Sequence, residues 1–304
     1  MALHPQMQEM LDRRRSANIP PFAAGTPDTA RSVFAAAQEA LPKDRGASVR
    51  EMRDETIAGP AGPVQVRRYV PDVADMRGRI VYLHGGGWTF GTLDAFDPVC
   101  RELADASGCE VVSVDYRLSP ENPFPAPLDD AWQVLVAMAE PGKPIVVAGD
   151  SAGGHLAASL ALRARDEGGP EIAAQVLCYP VIDPACDSVS YDNYGGGDYL
   201  ISRADMAWFW GNFCPAAQRE HADLSAIEDF SGLPPAIVVL AGCDPLHHEG
   251  AAYAAALSRG GVPVTVRDHP DMGHGFFTLV DLLDRANSEV REVGGLVAGL
   301  LAGD

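Results

Sequence analysis

The stretch VVAGDSAGGHLAA, residues 146–158, sets an apolar run against a serine boxed in by glycines and then against an alanine-rich segment. With its flanks it reads as a buried strand, PIVVAG (144–149), turning sharply into a helix, AGGHLAASLALRARD (152–166). Serine is a preferred helix N-cap and glycine is common where a strand turns into a helix, so the stretch alone does not separate a nucleophile from a helix start. Its surroundings decide.

Outward from it, strand-like runs recur at 64–70 (VQVRRYV), 79–84 (RIVYLH), 109–116 (CEVVSVDY), 173–179 (AAQVLCY), 235–242 (PAIVVLAG) and 262–269 (VPVTVRDH). Helix-like segments fall between most of them, at 94–107, 127–140 and 248–261. This alternation predicts an α/β fold, a mainly parallel sheet with helices on both faces. The runs from 144 and 235 are almost wholly apolar, as central strands buried on both sides require. Two segments break the pattern. Residues 181–234 are too long for one crossover and carry the aromatic-rich YDNYGGGDYLISRADMAWFWGNF, the kind of long insert that commonly forms a lid or binding loop. The first 45 residues, with MQEMLDRRR and TARSVFAAAQEAL at helical spacing, precede the first strand.

With 304 residues, 47% of them hydrophobic, the chain can bury a sizeable core. Its formal net charge of -19 opposes binding to nucleic acid or to an anionic membrane. No stretch approaches a signal peptide or a membrane span, so a soluble, cytoplasmic protein without stable membrane insertion is expected. The six cysteines form no CxxC pair and no zinc-like spacing, and read as buried free thiols. No metal and no cofactor is expected; the oligomeric state, a homodimer included, is open.

Gly149, Ser151 and Gly153 form a G-x-S-x-G at the strand-to-helix turn, where side chains two residues either side of the serine would collide. Such a match arises by chance about 0.15 times in a chain of this composition, so a second motif is needed. VYLHGGGWTFG supplies it: His84 and Gly85, Gly86 and Gly87 follow another strand, and a glycine run there lets backbone N–H groups face a carbonyl oxygen. A serine hydroxyl needs a base, and a base needs a carboxylate to orient it. Of eight histidines, His274 in DMGHGFF lies in a glycine-flanked loop beyond the last strand, and Asp244 in LAGCDPL lies just past strand 235–242. Asp268 and Asp271 are nearer in sequence, which is poor evidence of contact where strand ends converge.

On HGGGW (84–88), DYRLSPENPFPAPLDD (115–130), GDSAGG (149–154), WFW (208–210), DPL (244–246) and GHGF (273–276), the chain resembles the hormone-sensitive-lipase-like branch of the α/β-hydrolases, bacterial family IV carboxylesterases, in its GDSAG subgroup. The resemblance spans residues 64–278. It implies an eight-stranded α/β-hydrolase sheet spanning 46–304, a helical cap from residues 1–45 and an insert at about 185–214. It implies Ser151 as nucleophile, His274 as general base and acid, Asp244 as its orienter, and an oxyanion hole from the Ala152 amide and two of Gly85, Gly86 and Gly87, which two being open. Tyr199, Met206, Trp208, Phe209, Trp210 and Phe213 become candidates for the substrate pocket, against a plain core role. The implied activity is hydrolysis of short- to medium-chain acyl esters of small molecules.

Two other readings fit the residues less well. Gly149–Gly154 fits the spacing of a phosphate-binding loop, but His155 and Leu156 stand where Lys and Ser or Thr are needed, and Phe90 occupies the third glycine of a dinucleotide fingerprint. A non-catalytic binding module on the same fold would be expected to lack a member of the Ser-His-Asp set, and all are present.

Overall fold

The computed structural model describes residues 3–42, 45–60 and 62–303. Its strands are β1 (Glu51–Ile57), β2 (Val64–Val70), β3 (Arg79–Leu83), β4 (Glu110–Asp115), β5 (Ile145–Asp150), β6 (Ile172–Cys178), β7 (Ala236–Cys243) and β8 (Val264–Gly273). They form one eight-stranded sheet in the order β1-β2-β4-β3-β5-β6-β7-β8, antiparallel across β1, β2 and β4 and parallel from there on. The helices are α1 (Pro5–Ser16), α2 (Pro27–Glu39), α3 (Leu93–Ser107), α4 (Ala126–Met138), α5 (Ala152–Glu167), α6 (Val189–Tyr194), α7 (Arg203–Phe213), α8 (His247–Arg259) and α9 (Asp284–Ala302).

Alternation along each strand divides the core in two. In β3, Val81 and Leu83 join the layer beneath α4, α5 and α8, while Ile80 and Tyr82 join the layer beneath α3 and α9. Both faces of the central strands are therefore apolar, as their sequences predict. Helices α3 and α9 approach so closely that a Cβ on Gly294 would lie 2.5 Å from the Ala106 methyl. All six cysteines are buried and unpaired.

Seven strands match the apolar runs. The eighth, β1, reads EMRDETI, and apart from Ile57 its residues are exposed or half-buried. It is an edge strand, where charged side chains deter pairing with another chain, and so it carries no hydrophobic signal.

Two elements lie over the C-terminal ends of the parallel strands. Helix α1 is tied to the end of β8 by the His4 amide donating to the Asp271 carbonyl (2.8 Å) and by buried Met7, which a Cβ on Gly273 would touch. In the long insert, α7 starts at a capping box between Ser202 and Asp205. Asp205 also accepts from the Ala23 amide (2.8 Å), joining the insert to the N-terminal segment. The expected N-terminal unit ends beside residues 43 and 44, which, with 1 and 2, lie outside the described residues.

Candidate active site

At the end of β5 the chain reverses through Ser151, whose φ of 55° and ψ of −118° lie far from strand or helix geometry. The flanking glycines follow from sterics. A Cβ on Gly149 would lie 2.2 Å from the Gly153 carbonyl oxygen, and one on Gly153 would lie 1.9 Å from that of Leu83. The turn is fastened to β6 by the Ser151 amide donating to the Cys178 carbonyl (2.9 Å).

Asp244 follows β7 and His274 follows β8, so adjacent strand ends bring together residues 93 and 123 positions from Ser151 along the chain. His274 Nε2 is 2.9 Å from Ser151 Oγ, and His274 Nδ1 is 2.7 Å from Asp244 Oδ2. The other carboxylate oxygen of Asp244 accepts from the Leu246 amide (2.9 Å), which fixes the plane presented to the imidazole. With Nδ1–H donating to Asp244, Nε2 is free to accept the serine proton. All three side chains are buried.

The remaining candidates are engaged elsewhere. His269 lies 2.9 Å from Glu289, and Asp268 lies 3.2 Å from His247. Asp271 offers its carbonyl to His4. His155 donates from Nε2 to the Ala222 carbonyl (2.8 Å), and His84 from Nδ1 to the Gly85 carbonyl (2.7 Å). Burial lowers both imidazoles to about 4, so they are neutral at neutral pH. His84 stacks on Tyr116 (4.3 Å between centroids) and anchors the base of the glycine loop.

The glycine loop follows β3, beside the serine turn. Gly86 and Gly87 have φ of 108° and 57°, and a Cβ on Gly87 would lie 2.1 Å from the Phe209 ring. The Gly85 amide is committed: it donates to Asp150 Oδ1 (2.9 Å), which also accepts from the Tyr82 hydroxyl (2.7 Å). Gly86 and Gly87 line the same cavity as Ser151, and Ala152 is the first residue of α5. Asp150 thus clasps the loop to the serine turn, a role its place beside the nucleophile did not announce. Burial pushes its carboxyl up to about 6, against the hydrogen bonds from Tyr82 and Gly85.

Ser151 and His274 open into a cavity of about 210 Å³. Of the pocket candidates, Met206 and Phe209 line it. The others sit off its wall: Phe213 stacks on Trp88 (4.0 Å), Trp210 packs beside the same indole (5.0 Å), Trp208 packs behind Phe209 (5.2 Å), and Tyr199 meets Tyr194 (5.2 Å). Phe22, Phe34, Phe90 and Phe96 complete the aromatic wall, with Phe22 5.4 Å from Phe209 and 5.1 Å from Phe90. Phe22 and Phe34 come from the N-terminal segment and carry no local signal beyond helical spacing. Among the described residues no group of three or more His, Cys, Asp or Glu side chains is arranged to hold a metal ion, and no helix is long and apolar enough to cross a membrane.

A family profile described as alpha/beta hydrolase fold matches residues 80–278. The chain is 37% identical to the carboxylic ester hydrolase LipN of Mycobacterium tuberculosis, over 92% of this chain and 78% of that protein. It is 34% identical to an ethyl acetate hydrolase of Pseudomonas putida, over 94% and 96%. Among solved structures, the hyperthermophilic esterase of Pyrobaculum calidifontis superposes with a TM-score of 0.92 at 35% identity, covering 99% of each chain.

Proposed function

This chain belongs to the α/β-hydrolase fold family, in its hormone-sensitive-lipase-like branch, and we propose that it is a carboxylic ester hydrolase acting through a Ser151 acyl-enzyme on short- to medium-chain esters. The observation that carries this reading is the continuous hydrogen-bonded line from Asp244 through His274 to Ser151, beside the glycine loop that carries Gly86 and Gly87.

On this reading Ser151 Oγ attacks the ester carbonyl carbon while His274 Nε2 takes its proton, and Asp244 stabilises the imidazolium by accepting from Nδ1–H. The carbonyl oxygen becomes an oxyanion held by the Gly86, Gly87 and Ala152 amides, helped by the N-terminal dipole of α5. Collapse breaks the C–O bond, and His274 returns the proton to the departing alkoxide, releasing alcohol. Water then repeats the sequence: His274 removes its proton, the hydroxide adds to the acyl carbon, and the acid leaves as the proton returns to Ser151 Oγ.

Residues 3–42 and the insert carrying α6 and α7 act as a cap over this chemistry. Phe22 and Phe209, one from each, meet above Gly87, which supports this division of the chain. The cavity they enclose, about 210 Å³, falls below the roughly 300–1,000 Å³ of pockets for drug-sized ligands, and so favours small acyl groups.

The test is initial rates on p-nitrophenyl esters of graded acyl length. Ser151→Ala and His274→Ala are expected to lower kcat by about a million-fold. His269→Ala, which breaks the Glu289 pair and the edge contact with the Phe276 ring, keeps turnover; the reverse ranking of the two histidines refutes the assignment.

A further inference from the structure

The RRR run at 13–15 places three guanidinium groups on successive positions of the last turn of α1, about 100° apart, so they cannot share one environment. Arg13 and Arg15 point outward and pair with Glu9 (2.6 Å) and Asp12 (2.8 Å). A cationic last turn also suits the helix dipole. Arg14 is turned inward instead, onto the wall of the cavity that holds Ser151 and His274.

There the Arg14 side chain makes neither a hydrogen bond nor an ion pair among the described residues; its guanidinium lies over the Phe22 ring, 5.3 Å from the centroid. The charge it feels most is that of Asp205. The Asp205 oxygens, however, are engaged by the Ala23 amide (2.8 Å), the Ser202 amide (3.0 Å) and the Ser202 hydroxyl (2.7 Å). Burial pulls the Arg14 guanidinium below its ordinary value, the mark of a cation given up by water without full replacement. One aromatic contact is a small return for that desolvation.

A second guanidinium, Arg45, lines the same cavity and among the described residues is held at long range, 3.4 Å from Gln38 Oε1 and 3.9 Å from Asp281 Oδ2. Neighbouring arginines differ. Arg31 is 2.6 Å from Glu121, Arg67 is 2.6 Å from Asp54 and from Asp94, and Arg101 is 2.5 Å from Asp97. In a chain of net charge -19, well supplied with carboxylates, two cations on the wall of the serine's cavity that have no ion pair shorter than 3.9 Å among the described residues mark a place kept for an anion.

We propose that Arg14 and Arg45 form an anion subsite, and that the esters hydrolysed at Ser151 are half-esters of short dicarboxylic acids whose free carboxylate these guanidinium groups receive. This rests on the esterase reading above. Arginine presents a planar fork of donors that matches a carboxylate, and the small cavity keeps the acyl chain short.

The experiment compares monoethyl glutarate with ethyl 4-carbamoylbutanoate, its neutral amide counterpart, by ethanol release. The wild-type protein is expected to favour the half-ester in kcat/KM by about tenfold or more. Arg14→Gln should bring that ratio close to one, Arg45→Gln should lower it, and Arg14→Lys should retain part of it. Calorimetric titration of the two esters into the Ser151→Ala protein reads binding without turnover. There the half-ester should bind about tenfold tighter, and Arg14→Gln in that background should erase the difference. Equal binding of the two esters, or a preference unmoved by Arg14→Gln, overturns the subsite. A binding preference that persists in a protein hydrolysing neither ester supports the subsite and overturns the esterase reading alone.

Discussion

Asp150→Asn isolates the carboxyl that clasps the glycine loop to the serine turn. Asp150 is almost wholly buried, and desolvation is the largest influence on it, raising its carboxyl from the ordinary 3.8 to about 6. Between those two values the unfolded chain has released this proton and the folded chain has kept it. The folded state binds more protons, so stability falls as pH rises through that window and levels off above about 6. At about 1.4 kcal/mol for each pH unit, the displacement amounts to about 3 kcal/mol. Asparagine carries no charge, while its carbonyl oxygen can still accept from the Tyr82 hydroxyl and the Gly85 amide. The difference in unfolding free energy, variant minus wild type, should therefore climb by about 3 kcal/mol in favour of the variant between about pH 3 and 7, then stay level. Urea unfolding followed by tryptophan fluorescence at half-unit pH steps measures it, and taking the difference removes titrations common to both proteins. Asp150→Ala lacks the acceptor, strands two buried donors at about 1–3 kcal/mol each, and should lose kcat as the loop loosens. A flat difference curve, or one sloping the other way, would refute burial as the cause.

Gly153→Ala would put a methyl 1.9 Å from the Leu83 carbonyl oxygen; backbone must move, so a lower melting temperature and loss of kcat are expected, and a variant with wild-type values would contradict the steric reading of the turn. Phe209→Ala removes a ring that packs against Gly87, Phe22 and Phe90; it should cost about 3–5 kcal/mol in denaturant unfolding and shift the preferred p-nitrophenyl ester toward longer acyl chains, whereas an unchanged acyl profile would show that α7 does not bound the pocket.

Much of this protein is written in short-range patterns. Alternating apolar runs and helical spacing give the layers, because burial on both faces of a strand needs only that every residue be apolar. The turn at Ser151 is equally local, since the clashes that require Gly149 and Gly153 arise within a few residues and one neighbouring strand end. Where burial is absent the signal vanishes: β1 is charged because it sits at the edge, and nothing in EMRDETI separates it from a loop.

The cavity was decided by the tertiary structure. Phe22, Phe34 and Arg14 come from the first 40 residues and meet Met206 and Phe209 from the insert, with nearly 200 positions between them. Helical periodicity says that some face of α7 is buried, and does not say whether it meets core or cavity. Met206 and Phe209 fell on the cavity, while Trp208, Trp210 and Phe213 packed against other rings. The Gly85 amide was likewise indistinguishable from those of Gly86 and Gly87 until β5 set Asp150 against it. Sequence determines what lies within reach of a residue's own backbone; which distant segments face one another, and which of three adjacent amides or arginines are engaged by a neighbouring side chain, depends on how the whole sheet and its coverings close.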